Sequence, residues 1–303
     1  MGTGIVSIGL SIDGHETLSR VLLCLTAAVW FTLGFGLAIL VTRLRPLLLE
    51  EARSPAALTG VAGTDVFGAR VEMLGWEREA AALLVVGLLL WLVLAPYVLA
   101  RWQRPTVGVS FVLVVSTESL ATLAAALVLG RPSSWLAIAA LVCVGLGLAF
   151  YVFVALDFDL GQLLAGRGDH WVAGGALAIA TLACGRVAKA APFVDALRGA
   201  RGSLAVAALG VWVAAVAWLP ALLVCEAVRR RPAYDVRRWS TVFPLGMYAV
   251  CSFAVADVKG IPAIRHFAAV WIWVAVAVWA VVFTGLLRRV ARAARAAGRA
   301  PRP

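Results

Sequence analysis

The sequence predicts an all-α integral membrane protein of about ten transmembrane helices, arranged as five successive hairpins. Three observations predict it. Of the 303 residues, 63% are hydrophobic, against about 45–50% in a typical soluble domain. The mean hydropathy is +0.95 and only 14% of residues are charged, so a water-soluble chain of this size has no way to hide its apolar surface. The apolar residues also fall in runs of about 20, the length that spans the hydrocarbon core of a bilayer.

The runs are separated by clusters of Gly, Pro and charge. The first, 1–12, is short and reads as the second half of a helix. The others are 17–42, 57–74, 79–100, 107–129, 134–157, 170–190, 203–227, 239–257 and 267–288. Residues 1–288 form one transport domain on this reading, and 289–303 a basic tail that lies in solution or on lipid headgroups. No charged leader with a cleavage site opens the chain.

The net charge is +11, carried by 27 Lys and Arg. No basic domain stands apart from the apolar runs, so nucleic acid is not an expected partner. Topology accounts for the charge better. Loops after even-numbered helices, together with the tail, hold 17 of these residues, and the opposite side holds 10. The excess places that first side, with both termini, in the cytoplasm of a cell (inner) membrane. The five cysteines are scattered singly through apolar runs, as buried free thiols would be. No His, Cys and carboxylate cluster has ligand spacing, so neither a metal nor a cofactor is expected. Walker A, HExxH and GxSxG motifs are absent, which argues against an enzyme.

The helices differ in kind. Ala80–Ala95, Trp135–Leu156, Leu204–Cys225 and Phe267–Phe283 contain no Ser, Thr, Asn, Gln or charge, and such helices can face lipid. The odd-numbered helices carry polar groups: Thr3 and Ser7 in the first, Thr64 and Asp65 in the third, Ser116, Thr117 and Glu118 in the fifth, Thr181 in the seventh, Thr241 in the ninth. Polar groups are costly in hydrocarbon and belong against protein or a water-filled path. An inner ring of odd helices around a pore, inside an outer ring of even helices, satisfies this. The competing reading is that the hydroxyls only bond to their own backbone four residues back.

Asp65 and Glu118 are carboxyls inside apolar helices, each costing at least about 2.5 kcal/mol to insert. They read either as a proton-coupled transport site or as structural acids hydrogen-bonded between helices. Arg186 and Lys189 head a basic group on the outer side, as an anion-concentrating mouth or as interfacial anchors. Phe243 precedes Pro244, whose missing N–H and ring clash break the bond to the Ser240 carbonyl. Beside such a break, Phe243 is either a packed ring or a hydrophobic pore constriction.

Four segments carry a resemblance: Thr3-Gly-Ile-Val-Ser7, Val61-Ala-Gly-Thr-Asp-Val-Phe-Gly68, the run Trp171–Leu182 (WVAGGALAIATL), and Trp239-Ser-Thr-Val-Phe-Pro-Leu-Gly-Met-Tyr-Ala249. In this order the chain resembles the tellurite-resistance/dicarboxylate transporter family, to which plant guard-cell slow anion channels also belong. The resemblance implies ten helices in five hairpins, a pore inside each protomer, usually a homotrimer, and permeation of anions or carboxylates. It implies that a phenylalanine of the ninth helix plugs the pore, and Phe243 matches that position. The short first helix, Asp65 and Glu118 depart from the family pattern. The expectation is a passive channel or facilitator for small anions or monocarboxylates. The alternative is a proton-coupled transporter of C4-dicarboxylates or of tellurite- or sulfite-type oxyanions.

Overall fold

The computed structural model describes residues 1–43, 52–164, 168–229 and 234–297. Arg45, Arg167, Arg230, Arg231, Arg299 and Arg302 of the charge count lie outside them. The described residues form ten α-helices and no strand: α1 (Gly2–Ile12), α2 (Glu16–Arg43), α3 (Thr59–Glu72), α4 (Glu77–Ala100), α5 (Val112–Gly130), α6 (Ser134–Ala155), α7 (Trp171–Ala190), α8 (Arg201–Val228), α9 (Trp239–Lys259) and α10 (Pro262–Ala297). Eight of them are long and apolar enough to cross a membrane, while α1 and α3 are shorter.

Helix ends follow local chemistry. Pro55 opens a 3₁₀ turn that leads into α3, where Ser54 Oγ accepts from the Ala56 N–H. Glu77 and Glu79 sit in the first turn of α4, where the helix dipole favours negative charge. Gly260 ends α9 in the left-handed region at φ +66°, a conformation that glycine adopts without a Cβ penalty, and Pro262 begins α10.

Burial divides the helices into two layers. In α5, α7 and α9, 94%, 94% and 83% of the residues in the apolar span are buried, against 11–28% in α2, α4, α6, α8 and α10. Contacts follow the same division. Among the odd helices, α1 touches α3, α3 touches α5, α5 touches α7, α7 touches α9, and α9 returns to α1. Each even helix bridges two odd neighbours: α2 lies on α1 and α3, α4 on α3 and α5, α6 on α5 and α7, α8 on α7 and α9, and α10 on α9 and α1.

The layers are joined by indole N–H groups. Trp30 of α2 donates to Thr64 Oγ1 of α3 (3.0 Å) and Trp91 of α4 to Thr117 Oγ1 of α5 (3.0 Å). Trp212 of α8 donates to Ser252 Oγ of α9 (2.8 Å) and Trp279 of α10 to Thr3 Oγ1 of α1 (3.1 Å). An indole in a lipid-facing helix needs an acceptor, and its own helix's carbonyls are already engaged. Thr64, Thr117 and Ser252 also donate to backbone carbonyls four residues earlier, so one hydroxyl serves both helices. Replacing Thr117 by valine orphans the Trp91 N–H and is expected to cost about 1–2 kcal/mol. Melting in detergent checks this, and adding Trp91→Phe should recover most of the loss.

Two expectations are corrected and one boundary moves. The last helix, expected over 267–288, runs from Pro262 to Ala297, so the basic segment begins on a helix through Arg288, Arg289, Arg292 and Arg295. The alternating Ala and Arg there are good helix formers. Arg70, one of the ten basic residues counted on the opposite side, is not a loop charge. It is fully buried, and donates to Ser19 Oγ (3.0 Å) and to both oxygens of Glu16 (2.8 and 2.9 Å), because a buried guanidinium requires a carboxylate partner. Cys24 is exposed on the outer helix α2 rather than buried, as an apolar thiol can be where a helix meets lipid.

Candidate functional site

The segments singled out in the sequence dock on one another. Gly175 of α7 faces Pro244 of α9, where an added Cβ would lie 2.8 Å from the proline ring. The neighbouring Gly174 makes room for the Tyr248 hydroxyl, which donates to the Ala215 carbonyl of α8 at 2.9 Å. Gly246 of α9 receives Ile5 of α1, with an added Cβ 2.7 Å from its methyl group. Gly68 of α3 receives Leu123 of α5 in the same way, also at 2.7 Å. Glycine at these positions brings helices closer than any side chain permits.

The odd helices meet at a small internal cavity to which all five contribute. Ile5 and Ile8 come from α1, Asp65, Val66 and Ala69 from α3, Ser119 and Thr122 from α5, Ile179, Leu182 and Arg186 from α7, and Met247 from α9. Its volume is about 10 Å³, the space of a single water-sized sphere. The lining is mainly aliphatic, and its polar groups come from three helices.

Asp65 is buried, and its Oδ2 accepts from Ser119 Oγ at 2.7 Å. The other oxygen, Oδ1, has no partner among the described residues. Gly87 of α4 lies directly beside this carboxyl, so Asp65 fills the space that a side chain on α4 would take. Thr122 Oγ1 is buried without a partner among the described residues. Arg186 is the cation of the lining.

The other sequence-derived candidates fall elsewhere. Thr3, Thr64 and Thr117 accept indole N–H groups from the outer layer and are not among the residues lining this cavity. Ser7 pairs with Ser19 of α2, its Oγ donating to the Ser19 carbonyl at 2.7 Å. Ser116 and Thr181 bond to their own helix, at the Leu113 and Leu177 carbonyls. Thr241 is buried near the start of α9, off the cavity lining. The physical reason is common to all seven. A helix exposes only one face to the centre, and a hydroxyl on any other face is satisfied by a neighbour or by its own backbone.

Glu118 is fully buried in α5 against Gly147 of α6, with both carboxyl oxygens unpartnered among the described residues. It is not part of the cavity lining. Lys189 pairs with Asp257 (3.7 Å), which also takes Arg265 (3.0 Å), so the basic outer group is partly neutralised. Phe243 is fully buried and does not line the cavity. Met247 does, one turn further along α9 on the same face. The sequence reading left Ser119, Thr122 and Met247 out of the site. Ser119 and Thr122 follow Asp65 only in space, and nothing in their spacing signals that.

The architecture is that of a multi-pass, all-α membrane protein, and the family match that follows places it in the anion channel and transporter class. Residues 1–287 match the voltage-dependent anion channel family, SLAC1, and the chain belongs to that family, which is the tellurite-resistance/dicarboxylate transporter family. Two curated relatives are Uncharacterized membrane protein MT1776 of Mycobacterium tuberculosis (strain CDC 1551 / Oshkosh) and Uncharacterized membrane protein Rv1735c of M. tuberculosis (strain ATCC 25618 / H37Rv). Each is 34% identical over 140 residues, covering 43% of this chain and 68% of the relative.

Proposed function

We propose that this protein is a passive channel or facilitator for small anions or monocarboxylates, with the path running between the odd helices of one protomer. The observation that supports it most is the cavity enclosed by all five odd helices, with Arg186 as its cation. At about 10 Å³ it passes no solute, so conduction requires movement. On this reading Phe243, held beside the Pro244–Gly175 contact, closes the path one turn from Met247. The protein resides in the cell (inner) membrane with both termini in the cytoplasm, and it assembles as a homotrimer, as the family resemblance implies.

A second reading is supported by Asp65. Asp65 is a lining residue of the cavity and its Oδ1 has no partner among the described residues, so its carboxyl can carry a proton alongside an anion. This supports a proton-coupled carrier of C4-dicarboxylates or oxyanions. Reversal potentials in liposomes under opposed anion and proton gradients separate the two. A potential that follows the anion alone establishes the passive path. One that shifts with the proton gradient in the wild type and loses that shift in Asp65→Asn establishes coupling through Asp65. A shift that survives in Asp65→Asn excludes this residue.

A further inference from the structure

A groove of about 1020 Å³ opens between the segment entering α9 and the second half of α10. Its composition is two-faced. Ala280, Val281 and Val282 form an apolar wall, while Arg288, Arg289 and Arg292 form a basic rim. Among the described residues no carboxylate lines it, and these three arginines have no ion-pair or hydrogen-bond partner. Arg292 is four residues from Arg288 and three from Arg289, the spacings at which side chains on a helix are neighbours. Like charges so placed repel, and a bound anion converts that repulsion into attraction.

The groove is also built. The Tyr234 ring lies on Gly285, where an added Cβ would come within 2.7 Å of a ring carbon. The Tyr234 hydroxyl accepts from Trp239 Nε1 at 3.3 Å. The ring is therefore fixed from two sides and shapes the groove beneath the arginines.

Its depth indicates the ligand. Val281 is 69% exposed in the uncharged run of α10 that follows His266, and the first charges after that run are Arg288 and Arg289. The apolar wall therefore meets acyl chains while the rim lies at headgroup level. A free phosphate would use only the rim. An amphiphile with a phosphate head uses both. We propose that this groove is a binding site for an anionic phospholipid, its phosphate held by Arg288, Arg289 and Arg292 and its first acyl carbons laid along Val281.

The test uses the full chain purified in a neutral detergent, with phosphatidylglycerol, phosphatidylcholine and inorganic phosphate as probes. Lipid retention is counted by native mass spectrometry and thermal midpoints are recorded. Three headgroup contacts should favour phosphatidylglycerol over phosphatidylcholine by roughly a hundredfold. The triple variant R288Q/R289Q/R292Q should lose that preference, since glutamine keeps the helix and removes the charge. Arg198→Gln, an exposed arginine on the opposite side, should keep it. Equal binding of the two lipids by the wild type overturns the proposal, as does a preference that survives in the triple variant. A thermal shift saturated by inorganic phosphate, with no further effect of phosphatidylglycerol, overturns the lipid and assigns the groove to free phosphate.

Discussion

Phe243→Ala is expected to raise anion flux through the reconstituted protein by at least about tenfold, the factor that corresponds to a barrier lower by about 1.4 kcal/mol. The Phe243 ring is 1% exposed and shares a face of α9 with the cavity-lining Met247. A bulky apolar ring in a narrow path excludes water and raises the cost of an unhydrated ion. The next residue, Pro244, removes one backbone hydrogen bond from the helix and seats its ring on Gly175, which anchors the backbone beside the ring. Iodide or chloride influx into liposomes measures the effect. An unchanged flux in a variant that melts like the wild type excludes Phe243 as the closure, and Met247→Ala then tests the next turn.

Arg186→Gln is expected to lower the anion-to-cation permeability ratio by about tenfold or more, with Arg186→Lys retaining part of it. Carrying an ion into a low-dielectric interior costs several kcal/mol, and a fixed guanidinium beside the path offsets part of that cost for anions only. Arg186 lines the cavity together with Asp65, whose charge, when present, acts in the opposite sense. Asp65→Asn should therefore shift the ratio towards anions. Reversal potentials in a potassium chloride gradient give both ratios. Equal ratios in wild type and Arg186→Gln remove Arg186 from the conducting path.

Both expectations depend on which way particular side chains point, and here the sequence was least informative. Thr64 and Asp65 are adjacent in the chain. The structure sends Thr64 to Trp30 of the outer layer and Asp65 to Ser119 and the cavity. In a helix, neighbouring residues differ by about 100° around the axis, so membership of a polar helix says nothing of the direction of one hydroxyl. Bonding to their own backbone, one of the two readings of those hydroxyls, does not account for all that they do. Thr117 donates to Leu113 and accepts from Trp91 at once. Arg70 shows the same limit for charge. Its partner Glu16 lies 54 residues away, and a positive-inside count treats every arginine near a helix end as a loop residue.

The sequence by itself determined that this protein lives in a bilayer, roughly where its apolar helices lie, and which of them carry polar groups. Hydrocarbon imposes those features residue by residue, through run length, composition and the cost of an unbonded backbone. Only the tertiary structure decided that Asp65, Thr122 and Arg186 share a cavity while Thr3, Ser7 and Glu118 do not. It also decided that α10 carries its arginines on a continuous helix beside Tyr234. These features depend on how each helix is turned about its axis. That rotation is set by glycine contacts and indole hydrogen bonds between segments far apart in the chain, and no local pattern encodes it.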